Sequence, residues 1–421
     1  MIDRVTARYW IETAFPLADA AAMMAGEQST GTFVRTPGET DELRERYAAR
    51  VEVIEELGEA AVPSLPGSGL PKAGDGKRRT AHVTLSWPIE NFGPSLPNLL
   101  ATVAGNLSEL KPFSGLKLID LKLPPVFLDR YQGPQFGVAG TRELAGVWGR
   151  PMIGTIIKPS VGMSPEATAA QVEMLVAAGV DFIKDDELQA DGPHCPFEAR
   201  LKAVMRVIRD HADRTGKKVM YAANLTGDID EMLARHDLVV GEGGTCIMAS
   251  MNSIGLPAMK VLRAHSALPI HGHRNGWGML GRSPAIGMSF IAYQKLWRLA
   301  GIDHTHVNGI DNKFCESNES VIASARECLT PMFAPPHRGC EVMPVFSSGQ
   351  SAKQVPATFA ALGSTDLIYA AGGGILAHPG GPAAGVVALR QAWEAAVAGV
   401  PLADAAREQG ELREALAMFG A

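Results

Sequence analysis

The chain has 421 residues, 46% of them apolar and 20% charged, with 39 Lys+Arg against 45 Asp+Glu for a net charge of −6. This is an ordinary globular composition, long enough for two domains or one large barrel with an extension. It has no basic surplus to suggest nucleic acid, and no apolar stretch approaching the ~20 residues of a membrane span, so neither partner is expected.

The opening MIDRVTARYWIE carries no basic-then-apolar leader, and a cytoplasmic chain is expected. Residues 5–13 and 81–87 (AHVTLSW) read as strands, and 16–24 and 98–106 as helices. Residues 63–77, rich in Gly, Pro and Lys, read as a loop. Together they predict a small α+β domain over 1–135. The five cysteines (Cys195, Cys246, Cys315, Cys328, Cys340) are odd in number and form no CxxC, which fits free thiols better than disulfides or zinc.

Beyond residue 150 a rhythm sets in. Apolar, β-prone runs at 152–158, 180–187, 218–224, 244–250, 268–273, 302–308, 340–348 and 366–373 alternate with helical patterns such as 165–178, 196–215, 283–300 and 382–398. Strands alternating with helices imply parallel pairing, and eight such units predict a (β/α)8 barrel over 136–421. The C-terminal ends of barrel strands share one mouth. Here those ends carry Lys158, Lys184, Asp186, Glu187, Asn224, His273, Arg274, His306, Ser347, Gly372 and Gly373.

The second run ends in IKDDE (183–187). Two carboxylates beside a lysine suit a hard cation, if the lysine reacts with CO2 to become a carbamate and so a third oxygen anion. The same residues alone also fit a lysine–carboxylate salt bridge; their place at a barrel strand end favours the metal. The first run ends in GTIIKPSVGMS (154–164), where Lys158 near a cation could act as a proton-transfer base. HGHRNG (271–276) and DHTHVNG (303–309) each hold an HxH pair. Anion binding beside Arg274 is preferred there over a zinc or iron pair, with His271 and His304 as buried structural residues. VFSSGQ (345–350) and AAGGGILAHPGG (370–381) end the last two runs, where small residues let backbone N–H groups approach a phosphate.

In this order the motifs resemble the RuBisCO large-subunit superfamily along nearly the whole chain. EQSTGTF (27–33) is similar to that family's STGTW segment, and the GN of VAGNLSEL places Asn106. The resemblance implies a ferredoxin-like N-terminal α+β domain before the α/β barrel, and a homodimer whose active sites lie between one barrel and the neighbour's N-terminal domain. It implies Mg2+ as cofactor, held by Lys184 as its CO2 carbamate with Asp186 and Glu187. Lys158 matches the enolising lysine. His273 and His306 match substrate-contacting histidines, and Arg274 the arginine of one phosphate site. Thr32, Gly349, Gly372 and Gly373 match the other phosphate site, and Ser347 a hydroxyl contact. Glu27 and Asn106 would come from the neighbouring subunit. Lys313 stands where carboxylases place the lysine of mobile loop six.

The departures bear on the reaction. KPS replaces KPK, so Ser160 stands for a lysine; Phe33 replaces the tryptophan of STGTW; NGIDNKFCES replaces the usual loop-six lid; and FSSG replaces ASGG. A changed lid argues against holding CO2 for carboxylation, while the retained metal set and Lys158 allow chemistry through a metal-bound enolate. The resemblance therefore implies a RuBisCO-like protein: a decarboxylase or transcarboxylase/hydrolase of a phosphorylated 3-oxo sugar acid of the 3-oxo-isoapionate 4-phosphate type. Isomerisation or enolisation of a 5-methylthioribulose-type phosphate, and a non-catalytic binding barrel, are the competing readings.

Overall fold

The computed structural model of the protein describes residues 3–31, 36–72 and 76–420. In chain order its strands are β1 (Arg4–Thr13), β2 (Arg50–Ala60), β3 (Arg78–Pro88), β4 (Phe113–Lys122), β5 (Met152–Ile156), β6 (Phe182–Lys184), β7 (Met220–Asn224), β8 (Cys246–Ser250), β9 (Ile270–His273), β10 (Ile286–Met288), β11 (His304–Asn308), β12 (Met343–Phe346) and β13 (Ile368–Ala370). They fall into two compact units. One comprises Met1–Gln132, Gly276–Leu299 and Met332–Gly339; the other comprises Gly133–Asn275, Ala300–Pro331 and Cys340–Ala421.

The first unit holds a five-stranded sheet in the order β10-β4-β1-β3-β2. β1 pairs antiparallel with β3 and β4, β3 antiparallel with β2, and β10 parallel with β4. Without β10 this is the expected ferredoxin-like plan, with helices Leu17–Glu27 and Leu96–Val103 as the crossovers. Period-two burial sets the inner face: Val5, Ala7, Tyr9 and Ile11 on β1, and Ala81, Val83, Leu85 and Trp87 on β3, are fully buried. The helix expected over 98–106 spans Leu96–Val103 and buries Leu96, Leu99 and Val103 along one stripe.

The segment 283–300, expected as one helix, is corrected by the structure. It opens with β10, whose Ile286–Met288 pair with Leu116–Leu118, and only Phe290–Ala300 is helical. Gly287 sits at φ +100, outside the helical region, and an added Cβ there would lie 1.9 Å from the Leu280 carbonyl oxygen.

The second unit is a closed parallel barrel, β11-β12-β13-β5-β6-β7-β8-β9. All eight expected strands are present. Their interior is filled by Met152, Phe182, Met220, Met248, Met343, Val345 and Ile368, which leaves a packed core and not a pore. Fully buried Phe182 alone contributes about 2–3 kcal/mol of burial. Local signals place the helices. Ser164 caps Pro165–Ala177 by accepting the Ala167 N–H, with Pro165 in the first turn; left-handed Gly216 (φ 74) ends Phe197–Thr215. Among the described residues no helix is long and apolar enough to cross a membrane. All five cysteines are free, and only Cys315 is exposed.

Candidate active site

β6 ends at Lys184, and the chain then turns across the barrel mouth. The two aspartates that follow part ways. Asp185 points into the wall and is fully buried. Its carboxylate accepts from the Tyr221 hydroxyl (2.5 Å), the Asn224 N–H (3.0 Å) and two Arg200 nitrogens (3.2 and 3.3 Å). Asp186 turns instead to β5's end, where Lys158 Nζ donates to its Oδ2 at 2.5 Å and to Ser160 Oγ at 2.9 Å. Asn224 Nδ2 donates to the carbonyls of Asp186 and Glu187 (3.2 and 3.3 Å), which holds the turn.

Lys184 is 1% exposed, and its Nζ donates to the Asp185 carbonyl (2.8 Å) and Glu187 Oε2 (3.2 Å). Glu187 Oε2 also lies 3.4 Å from His273 Nε2. Burial pulls the Lys184 amine below the usual lysine range, against the opposing charges of Glu187 and Asp186. Burial pushes the Glu187 carboxyl up, but Lys184 and His273 outweigh it and hold it at about 2. Burial and then the Lys184 charge bring His273 down to about 4. Asp186 and Glu187 thus each hold an ammonium at 2.5–3.2 Å, as a site built to bind positive charge does. A lysine amine held toward its neutral form can add CO2, which turns this trio into three oxygen anions, the donor class a hard divalent cation takes.

Below them the histidines form a neutral stack. Among the described residues His271 Nδ1 meets no partner, which a bare lone pair tolerates better than an N–H. The network therefore assigns His271 Nε2–H as donor to His306 Nε2 (2.9 Å) and His306 Nδ1–H as donor to Ser347 Oγ (2.8 Å). His304 Nε2 likewise donates to Thr141 Oγ1 (2.8 Å), whose hydroxyl is spent on the Gly137 carbonyl. Burial lowers the pKa of all three rings, that of His304 to about 3. His271 and His304 are fully buried and hydrogen-bonded, the environment expected of them.

At the rim, Arg274 Nη2 donates to Glu316 Oε2 at 2.6 Å, and Asn308 Nδ2 donates to the same oxygen at 2.6 Å. Ser348 Oγ donates to Asn308 Oδ1 (2.8 Å). Gly349 (φ +94) follows β12, while Gly372 and Gly373 follow β13 and start the short helix Gly372–Leu376. Among the described residues a Cβ on Gly373 would meet nothing within 4 Å, so packing against them does not require its bareness. Lys313 is anchored by its backbone N–H to the Ser348 carbonyl (3.0 Å), while its exposed ammonium lies 5.3 Å over the Phe314 ring. Glu27 and Asn106 lie exposed in the first unit, at a helix end and a 3-10 turn. Thr32 and Phe33 lie outside the described residues. Sequence reasoning passed over Glu316, Asn308 and Ser348; the signal available was an acidic residue inside the altered loop six.

Family models match both parts of the chain: "Ribulose bisphosphate carboxylase large chain, N-terminal domain" over residues 4–127 and the corresponding "catalytic domain" over 137–419. The chain is 59% identical over 419 residues to the 3-oxo-isoapionate-4-phosphate transcarboxylase/hydrolase of Xanthobacter autotrophicus, covering 100% of both chains. It is 46% identical to the 3-oxo-isoapionate-4-phosphate decarboxylase of Rhizobium rhizogenes, covering 99% of this chain and 98% of that one. Among solved structures, a rubisco-like protein from Burkholderia fungorum superposes with a TM-score of 0.92 at 50% identity, covering 99% of this chain and 100% of that chain.

Proposed function

The chain belongs to the ribulose bisphosphate carboxylase large-chain family, and from that premise we propose that it is a Mg2+-dependent enzyme acting on a phosphorylated 3-oxo sugar acid of the 3-oxo-isoapionate 4-phosphate type, by decarboxylation or by transcarboxylation with hydrolysis. The observation that carries the chemistry is the convergence of Lys184, Asp186 and Glu187, with Lys158 Nζ 2.5 Å from Asp186. The substrate class is supported by the full-length likeness to the two relatives named for it.

Losing CO2 from a 3-oxo acid leaves an electron pair that must be spread onto the keto oxygen and then protonated. Lys184 as its carbamate, Asp186 and Glu187 would hold Mg2+, which when bound would supply positive charge for that oxygen. Lys158 is the proton carrier, with Asp186 and Ser160 aiming its ammonium. His273, His306 and Ser347 orient hydroxyl groups, and the neutral histidine stack keeps competing charge away from them. Backbone N–H groups at Gly349, Gly372 and Gly373, with Thr32, take the phosphate. Arg274 serves the opposite end of the ligand, and Lys313 is the loop-six residue that approaches it. Glu27 and Asn106 complete the site from a second copy, which makes a homodimer the working unit. Free thiols suit a cytoplasmic setting.

The test is turnover of 3-oxo-isoapionate 4-phosphate by purified protein with Mg2+ and bicarbonate, followed as CO2 release and as product. Turnover that EDTA abolishes is expected. A metal-replete protein that leaves this substrate untouched overturns the reading.

A further inference from the structure

Arg274 is a largely buried guanidinium at the mouth, 6% exposed, in the position of an anion socket. In this chain the anion is supplied from within. Glu316, only 14% exposed in its side chain, reaches it from the segment after β11 at 2.6 Å. Three further bonds fix Glu316 there. Asn308 Nδ2 donates to Oε2 (2.6 Å), Ser320 Oγ to Oε1 (2.9 Å), and Asn312 Nδ2 to the Glu316 carbonyl (3.0 Å). Asn308 takes a left-handed backbone (φ 65) at this point and is itself held by Ser348 Oγ at 2.8 Å. A carboxylate so tightly donated to is a built feature of the pocket.

We infer that Glu316 is a specificity-determining residue: it fills the Arg274 socket, so the mouth accepts a ligand with one phosphate and a neutral, hydroxylated far end, and rejects a bisphosphate. This rests on the reading that the mouth binds a phosphorylated substrate. A phosphate carries a charge of about −1.5 to −2 at neutral pH. Brought to Arg274, it must either sit beside the Glu316 carboxylate or displace it from its three partners, Arg274, Asn308 and Ser320. A hydroxyl meets no such conflict, because the carboxylate accepts from it while Arg274 and Asn308 donate. The repulsive element against the wrong ligand is thus a single side chain.

The experiment is calorimetric titration of the Mg2+- and bicarbonate-treated protein with ribulose 5-phosphate and ribulose 1,5-bisphosphate, for wild type, Glu316→Gln and Glu316→Ala. Wild type is expected to bind the bisphosphate no more tightly than the monophosphate. In both variants the affinity for the bisphosphate relative to the monophosphate should rise about tenfold or more. Adding Arg274→Met to Glu316→Gln should erase the gain. Melting curves identify a variant that fails to fold, and the other then decides. A relative affinity for the bisphosphate unmoved in the folded variants overturns the inference, as does a wild type that already prefers the bisphosphate tenfold. The readout is binding alone, so absence of turnover on the 3-oxo acid would count against the proposed reaction and leave this result standing.

Discussion

The two adjacent aspartates of IKDDE should respond to the same substitution in opposite ways. Asp185 is fully buried against Arg200, itself 1% exposed, with Tyr221 and the Asn224 N–H completing its shell. Asp185→Asn keeps the shape but removes the charge, stranding a buried guanidinium and turning one amide N–H toward other donors. Breaking one partner of such a pair costs about 3–5 kcal/mol. Asp186 pairs with Lys158, whose side chain is 43% exposed and can be resolvated. Screening cuts the loss from Asp186→Asn to about 1 kcal/mol or less. In thermal melts without metal, Asp185→Asn should lower the midpoint by about 4–8 °C and Asp186→Asn by about 2 °C or less. The ranking inverts when Mg2+ and bicarbonate are added: the stabilisation they bring should vanish in Asp186→Asn and persist in whatever Asp185→Asn protein remains folded. Equal melting losses, or a Mg2+ response kept by Asp186→Asn, would refute this division of labour.

Lys184→Met should abolish both Mg2+-dependent turnover and the upward melting shift with Mg2+ and bicarbonate; near-normal activity would disprove the carbamate. Lys158→Met should keep that melting shift while turnover falls about 10²–10⁴-fold, the usual range for losing an acid–base group; equal loss of both would make Lys158 structural. Stability should also fall in mild acid. His271, His304 and His306 are held below the ordinary histidine value by burial, His304 at about 3, so the unfolded chain binds more protons than the folded one. Their contribution is complete above the unfolded value of about 6.5, and each ring that stays neutral costs about 1.4 kcal/mol per pH unit below it. Urea midpoints that hold steady from pH 6.5 to 5 would contradict the neutral stack.

The barrel was legible because a parallel strand buried on both faces reads as a short unbroken apolar run, and eight of them carried their polar residues at the same end. Lys158, Lys184, Glu187 and His273 stood out for that reason. β2 did not: it is an edge strand with Val51, Val53 and Leu57 exposed, so no alternation marks it. β4 alternates well enough in LKLIDL and was passed over, while three-residue β10 exists only by pairing with β4, a contact no local pattern encodes. The site fails to read at the same kind of place. Which aspartate of IKDDE faces the mouth depends on Arg200 and Tyr221 claiming the other, and the Glu316–Arg274 pair spans 42 residues.

The most direct test is a crystal structure of the protein grown with MgCl2 and bicarbonate. Density for CO2 bonded to Lys184 Nζ is expected, with Mg2+ at about 2.0–2.1 Å from oxygens of that group, Asp186 and Glu187. An unmodified Lys184 still bonded to Glu187, with the metal bound elsewhere, would contradict it.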